Sequence, residues 1–136
     1  MIDHVGFAVR DYGRSKAFYE KVLAPLGLRL LVEPSGAAAG FGADEKPTFW
    51  IEAQGRPVTG RLHIAIGVDR RDQVDEFHAV ALEAGAKDNG RPRVRAMYHP
   101  DYYSAYVLDP DGNNIEAVCH AGGKCRGGAV RCRVVA

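Results

Sequence analysis

The chain has 136 residues, 46% apolar and 26% charged, an ordinary globular balance that excludes disorder as the default and suits one compact unit with a real core. Its formal net charge is +1, from 18 basic and 17 acidic residues, which gives no electrostatic reason to expect a nucleic acid or a membrane surface as partner. No apolar run approaches the ~20 residues of a membrane helix, and the start "MIDHVGFAV" lacks the features of a signal peptide, so a cytoplasmic protein is expected.

The first predicted element is a strand. "IDHVGFAV" alternates with period two, setting Val5, Phe7 and Val9 on one face and His4, Gly6 and Ala8 on the other. The bulky face calls for a helix packed on it, and the small residues leave room beside the histidine, as the lining of a cleft would. That helix follows: Asp11 or Ser15 caps it, Ala17, Phe18, Val22 and Leu23 form its apolar stripe, and "APLG" ends it. Three strand-like runs come next, "LRLLVE", "GAAAGFGA" and "PTFWIEA". In the last, Glu52 shares a face with Thr48 and Trp50 while Phe49 and Ile51 point the other way.

A polar joint, "QGRPVTGR" from Gln54 to Arg61, separates this unit from a second one. "LHIAIGV" again alternates, with Leu62, Ile64, Ile66 and Val68 against His63, Ala65 and Gly67. The following helix carries Val74, Phe77, Val80, Ala81 and Leu82 on its apolar stripe and reaches a terminating Gly85. A weak strand near "PRVRAMY", then "YYSAYVLD" and "NNIEAVC", complete the unit, and "DPDGNN" between the last two is a strong hairpin signal.

The two units are repeats. When His4 is laid on His63, Val9 falls on Val68, Phe18 on Phe77 and Leu23 on Leu82, and each copy closes on Ile-Glu-Ala, at Glu52 and Glu116. The second copy is longer, with its insertion between the helix and the last strand. The predicted fold is therefore α+β: two tandem βαβββ modules, residues 1–54 and 55–120, forming a curved mixed β-sheet cleft. Residues 121–136 form a basic, glycine-rich C-terminal tail. Cys119, Cys125 and Cys132 are odd in number and too irregularly spaced for a zinc knuckle, so reduced thiols are expected.

Recurrence selects the candidate site. If the outer strands of both copies build one curved sheet, His4, Glu52, His63 and Glu116 converge on its concave side. A half-buried carboxylate costs several kcal/mol unless compensated, and two of them beside two imidazoles have the composition of a divalent-metal site with nitrogen and oxygen ligands. Taken singly, the bland reading of His4 is a hydrogen-bonded core histidine, and that of Glu52 a solvated acid or a partner of Arg56 or Arg61.

The stretches "DHVGFAV", "SKAFYEKVLAPLG", "LHIAIGV" and "YYSAYVLDPDGNNIEAVCH" resemble the vicinal oxygen chelate superfamily, which includes glyoxalase I, extradiol dioxygenases and the fosfomycin and bleomycin resistance proteins. The resemblance covers nearly all of residues 1–120; the basic tail departs from it. It implies a cleft between paired βαβββ modules that holds a divalent ion (Zn, Ni, Mn, Fe or Mg), with His4, Glu52, His63 and Glu116 at the ligand positions. It also implies a small-molecule substrate chelated through two neighbouring oxygens, and a homodimer with modules paired within or between chains. Proton transfer by Glu116 or Glu52 is the reaction implied by four ligands. His4, His63 and Glu116 alone form a 2-His-1-carboxylate face suited to extradiol oxygen chemistry, and ligand loss would mark a non-catalytic binder of a small molecule or antibiotic. His99 and Tyr102 are candidate proton donors, and Trp50, Ser104 and Tyr106 candidate substrate contacts. Tyr103, Phe18 and Phe77 read as packing.

Overall fold

The protein, seen in a computed structural model, is described over residues 1–58, 60 and 62–122. Thr59, Arg61 and the tail from 123, with Cys125 and Cys132, lie outside the described residues. The elements run β1 (Val5–Ala8), α1 (Tyr12–Val22), a 3-10 turn (Ala24–Leu26), β2 (Arg29–Val32), β3 (Ala38–Gly42) and β4 (Phe49–Glu52), and then β5 (His63–Val68), α2 (Arg71–Glu83), β6 (Lys87–Val94), β7 (Tyr103–Leu108) and β8 (Asn114–Cys119). Both copies are β-α-β-β-β, as the repeat predicts.

Local chemistry explains the boundaries. Asp11, in extended conformation, caps α1 by accepting from the Arg14 N–H at 3.0 Å, so Asp11 rather than the buried Ser15 is the cap. Gly27 takes the left-handed conformation that lets the chain turn from the helix into β2. The weak predicted strand is longer and earlier than its apolar pattern suggested, because β6 includes Gly90 and Pro92. Both are tolerated at the outer edge of a sheet, where one side of the backbone needs no ladder partner, and the register shifts around Gly90 absorb them.

The strands form two separate four-stranded sheets, β1-β4-β3-β2 and β5-β8-β7-β6, rather than one continuous hydrogen-bonded sheet. In each, the first strand of the module pairs parallel with the Ile-Glu-Ala strand: Ala8 stands opposite Glu52, and Ala65 opposite Glu116. The bulky face of each sheet is covered by its own helix, and the helices also touch each other, so both lie between the sheets. The joined interior holds Phe7, Tyr19, Phe41 and Phe49 from the first module and Val74, Phe77, Val107 and Ile115 from the second. Each such side chain contributes roughly 1.5–3 kcal/mol by leaving water. Cross-links bind the modules further: the Gln73 amide donates to the Pro25 carbonyl at 3.1 Å, and the Tyr19 hydroxyl donates to buried Asp109 at 2.5 Å.

The two small-residue faces consequently look away from one another. Their edge strands, β1 and β5, each have one ladder neighbour among the described residues. No helix among the described residues is long and apolar enough to cross a membrane.

Candidate functional site

The second module's open face carries an organised polar cluster. Glu116 projects from β8 and is only 1% exposed. Its Oε2 lies 2.8 Å from His63 Nε2, and its Oε1 accepts from the Tyr102 hydroxyl at 2.6 Å. The register explains the first contact. His63 precedes Ala65 on β5, Ala65 stands opposite Glu116, and Ala65 and Gly67 leave space for the imidazole to lean across. The second contact comes from the long connection between β6 and β7, which folds Tyr102 over the acid. Burial, followed by the Glu116 contact, raises the Tyr102 phenol far above its usual range, so it remains a donor at physiological pH.

Further along this face, Tyr106 stands opposite Glu116 in the register, and its ring centroid lies 6.0 Å from that of His63. Burial raises this phenol as well. Ser104 is buried, and its Oγ accepts from Arg95 Nε at 2.8 Å. The Arg95 guanidinium stacks 4.5 Å above the Tyr106 ring. Tyr103 points the other way, donating to Asp75 on α2 at 2.6 Å, and its hydroxyl is pushed up to about 12 by burial and that contact.

His99 approaches this cluster only through Tyr102, whose ring centroid is 5.4 Å away. Its Nδ1 accepts from the Asp101 backbone N–H at 3.0 Å, and its Nε2 lies 2.6 Å from His120 Nδ1. With Nδ1 accepting, neutral His99 carries its proton on Nε2 and donates to His120, which must then hold its own proton on Nε2. The pair ties the end of β8 to the loop carrying Tyr102.

The first module presents a different picture. His4 is exposed, with Nδ1 2.9 Å from Asp3 Oδ1, and Asp3 also pairs with Lys46. The His4 contact, then Lys46, holds the Asp3 carboxyl below its usual range. Glu52 is exposed on the same face as Gly6, beside half-buried Trp50, and its carboxylate makes no hydrogen bond or ion pair among the described residues. The Trp50 ring lies over Gly40, where an added Cβ would come within 2.9 Å of it.

The structure therefore brings His63, Glu116, Tyr102, Tyr106 and Ser104 together on one face. His4, Trp50 and Glu52 share a side of the other sheet without contact between His4 and Glu52, which stands opposite Ala8, four residues past His4. Among the described residues, no three His, Cys, Asp or Glu side chains gather as a metal site within the chain. The donors nevertheless fit a divalent ion by type: each face offers one imidazole and one carboxylate, and on the second face they are already 2.8 Å apart. Two participants were missed in the sequence. Arg95 alternates with Arg93 in a run that reads equally well as a solvated edge, and His120 sits just past the Ile-Glu-Ala strand with no periodic partner.

Residues 1–117 match the family profile described as the Glyoxalase/Bleomycin resistance protein/Dioxygenase superfamily. Among solved structures, the chain is similar to a glyoxalase/bleomycin resistance protein from Albidiferax ferrireducens T118, at 31% identity and a TM-score of 0.72, covering 86% of this chain and 97% of that one. It shares its fold with the fosfomycin resistance protein FosX from Mesorhizobium loti, at 24% identity and a TM-score of 0.64, over 88% and 91% of the two chains. It also shares it with lactoylglutathione lyase from Agrobacterium tumefaciens, at 20% identity and a TM-score of 0.63, over 87% and 92%. No curated protein matches the chain.

Proposed function

Because the chain belongs to the Glyoxalase/Bleomycin resistance protein/Dioxygenase superfamily, we propose that it is a divalent-metal-dependent enzyme that binds a small substrate through two neighbouring oxygens and moves a proton between adjacent carbons. The observation that carries this reading is Glu116. It is a carboxylate only 1% exposed, set between an imidazole and a phenol on a face lined by alanine and glycine. Burying such a group is costly, and an apolar side chain here with apolar partners would avoid that cost, so a carboxylate held by an imidazole and a phenol points to work done there.

In this proposal the ion is held by His63 and Glu116 of one subunit and by His4 and Glu52 of the partner subunit, which makes the protein a homodimer. The opposed open faces and the singly paired edges of β1 and β5 support pairing between chains rather than within one. A bound divalent ion supplies Lewis acidity, stabilising negative charge on the substrate's oxygens. Tyr102 orients Glu116 and keeps it charged, which anchors that acid. Glu52, exposed and uncommitted, is the residue free to take the proton and return it. His99, paired with His120, positions Tyr102. Trp50 and Tyr106 wall the cleft and exclude water.

The same freedom of Glu52 favours a second reading, in which only His4, His63 and Glu116 are ligands and the chemistry is extradiol dioxygenation. Metal content of the purified protein tests the site. The wild type should hold about one divalent ion per cleft, and His63→Ala and Glu116→Ala should each lose it. Unchanged occupancy in both variants would end the metal reading and leave a binder. Oxygen uptake with catechols, set against turnover of a glutathione hemithioacetal, separates the two enzymes.

A further inference from the structure

Arg95 is a buried cation without a counter-ion, and the geometry points to it as the anchor for an oxyanion, a carboxylate or phosphonate, carried by the substrate on the far side of Tyr106 from the chelating oxygens. The inference rests on the cleft assignment above, but its evidence is separate. The side chain is 6% exposed, a state that guanidinium groups adopt mainly when paired. Here its contacts are neutral: Nε donates to Ser104 Oγ at 2.8 Å, and Nη2 donates to the carbonyls of Arg91 at 3.1 Å and Ser104 at 3.4 Å. No carboxylate lies within ion-pair distance among the described residues, and Nη1 has no acceptor there. Yet Nη1 is not sealed from solvent, so this nitrogen remains reachable.

The surroundings are shaped for this placement. Gly90 has a positive φ of 156°, and a Cβ there would meet Tyr106 Cδ2 at 2.7 Å and Arg95 Nη2 at 2.9 Å. The missing side chain lets the guanidinium sit over the Tyr106 ring. That ring in turn neighbours His63, so a single aromatic separates the fork from the proposed chelating position. Once an ion takes up the charge of Glu116, the guanidinium is the unanswered charge on this face. The unengaged Nη1 N–H groups carry a share of a full positive charge, which an oxyanion answers more strongly than a neutral amide or alcohol.

The test uses three ligands of one shape on metal-free full-length protein: benzoate, phenylphosphonate and neutral benzamide. At least one anion should bind about tenfold more tightly than benzamide and move the Arg95 Nε–H resonance in a nitrogen-15 correlation spectrum. Preference for one anion then identifies the oxyanion. Arg95→Gln should remove the preference, and Arg95→Lys should retain part of it. Equal affinities for all three ligands, or an Arg95 resonance unmoved at saturation, would overturn the inference even if Arg95→Gln failed to fold. A protein that binds metal but shows no anion preference defeats this inference alone. One that binds benzoate through Arg95 but takes up no metal defeats the functional reading alone.

Discussion

The two Ile-Glu-Ala strands carry the same tripeptide at different registers, Glu52 opposite Ala8, four residues past His4, and Glu116 opposite Ala65, two past His63. Glu52 is exposed and uncommitted, while Glu116 is 1% exposed and held from both sides. Trp50, not Glu52, takes the place beside β1 that Glu116 takes beside β5, since Gly6 and Ala65 each lie two residues past their histidine. The enclosure of Glu116 comes from the second module's extra chain: an eight-residue β6 against a four-residue β2, followed by the loop that lays Tyr102 over the acid. Register sets the two carboxylates at different points along their sheets, and the longer second module encloses Glu116. One half of the proposed site is assembled before anything binds; the other is left open.

Urea denaturation of the metal-free protein probes that contrast most strongly. Glu116→Ala should cost about 3 kcal/mol, from the cavity and the orphaned Tyr102 hydroxyl, whereas Glu52→Ala should stay within about 0.5 kcal/mol. Equal losses would mean that the two acids are not differently enclosed. Alanine at the glycines comes next. Gly40→Ala drives a methyl against Trp50 and Val32, and Gly90→Ala drives one against Tyr106 and Arg95. Each should cost about 1–3 kcal/mol, while Gly67→Ala, which meets nothing, should change stability by less than about 0.5 kcal/mol. A smaller loss, about 1–2 kcal/mol in the same assay, is expected of Tyr19→Phe, which leaves the Asp109 carboxylate short of one donor.

The mildest test is acid titration, in which the modules should behave alike. Lys16, then Tyr12, hold the Glu33 carboxyl below its usual range, and His78, then the Gly90 N–H, do the same for Asp88. Because folding depresses these values, the stability they contribute is present above about pH 4.3, the ordinary carboxylate range. It fades as pH falls through the lower folded values, where the unfolded chain binds more protons. The deficit of Glu33→Gln relative to wild type should therefore shrink on acidification, as should that of Asp88→Asn. A pH-independent deficit in either would assign the effect to lost packing.

Much of the architecture was legible because it is written locally. Alternation located β1 and β5, apolar spacing located α1 and α2, and Asp11 and the "DPDGNN" turn punctuated them as their side chains dictate. The site was legible as far as register reaches: His63 and Glu116 meet because parallel pairing puts Ala65 opposite the acid. Whatever depended on distant chain was not. Nothing near Glu116 in sequence announces that Tyr102 covers it, nor does the "PRVRAMY" run reveal that Arg95 folds back over Tyr106. His4 and Glu52 read as equals of His63 and Glu116, but the register sets Glu52 two residues farther from its histidine, and the placement of the helices between the sheets turns the two pairs outward on opposite sides.

Asp109 gathers the N–H groups of Asp111 and Asn113 within its own turn and then reaches across to Tyr19. The signature hairpin of the second repeat is thus a hook for the first, fastened inside a shared interior. A protease that nicked the joint between Gln54 and Leu62 would release neither fragment, and the severed repeats would still melt in a single transition. The two halves share one interior, so neither keeps a complete core of its own.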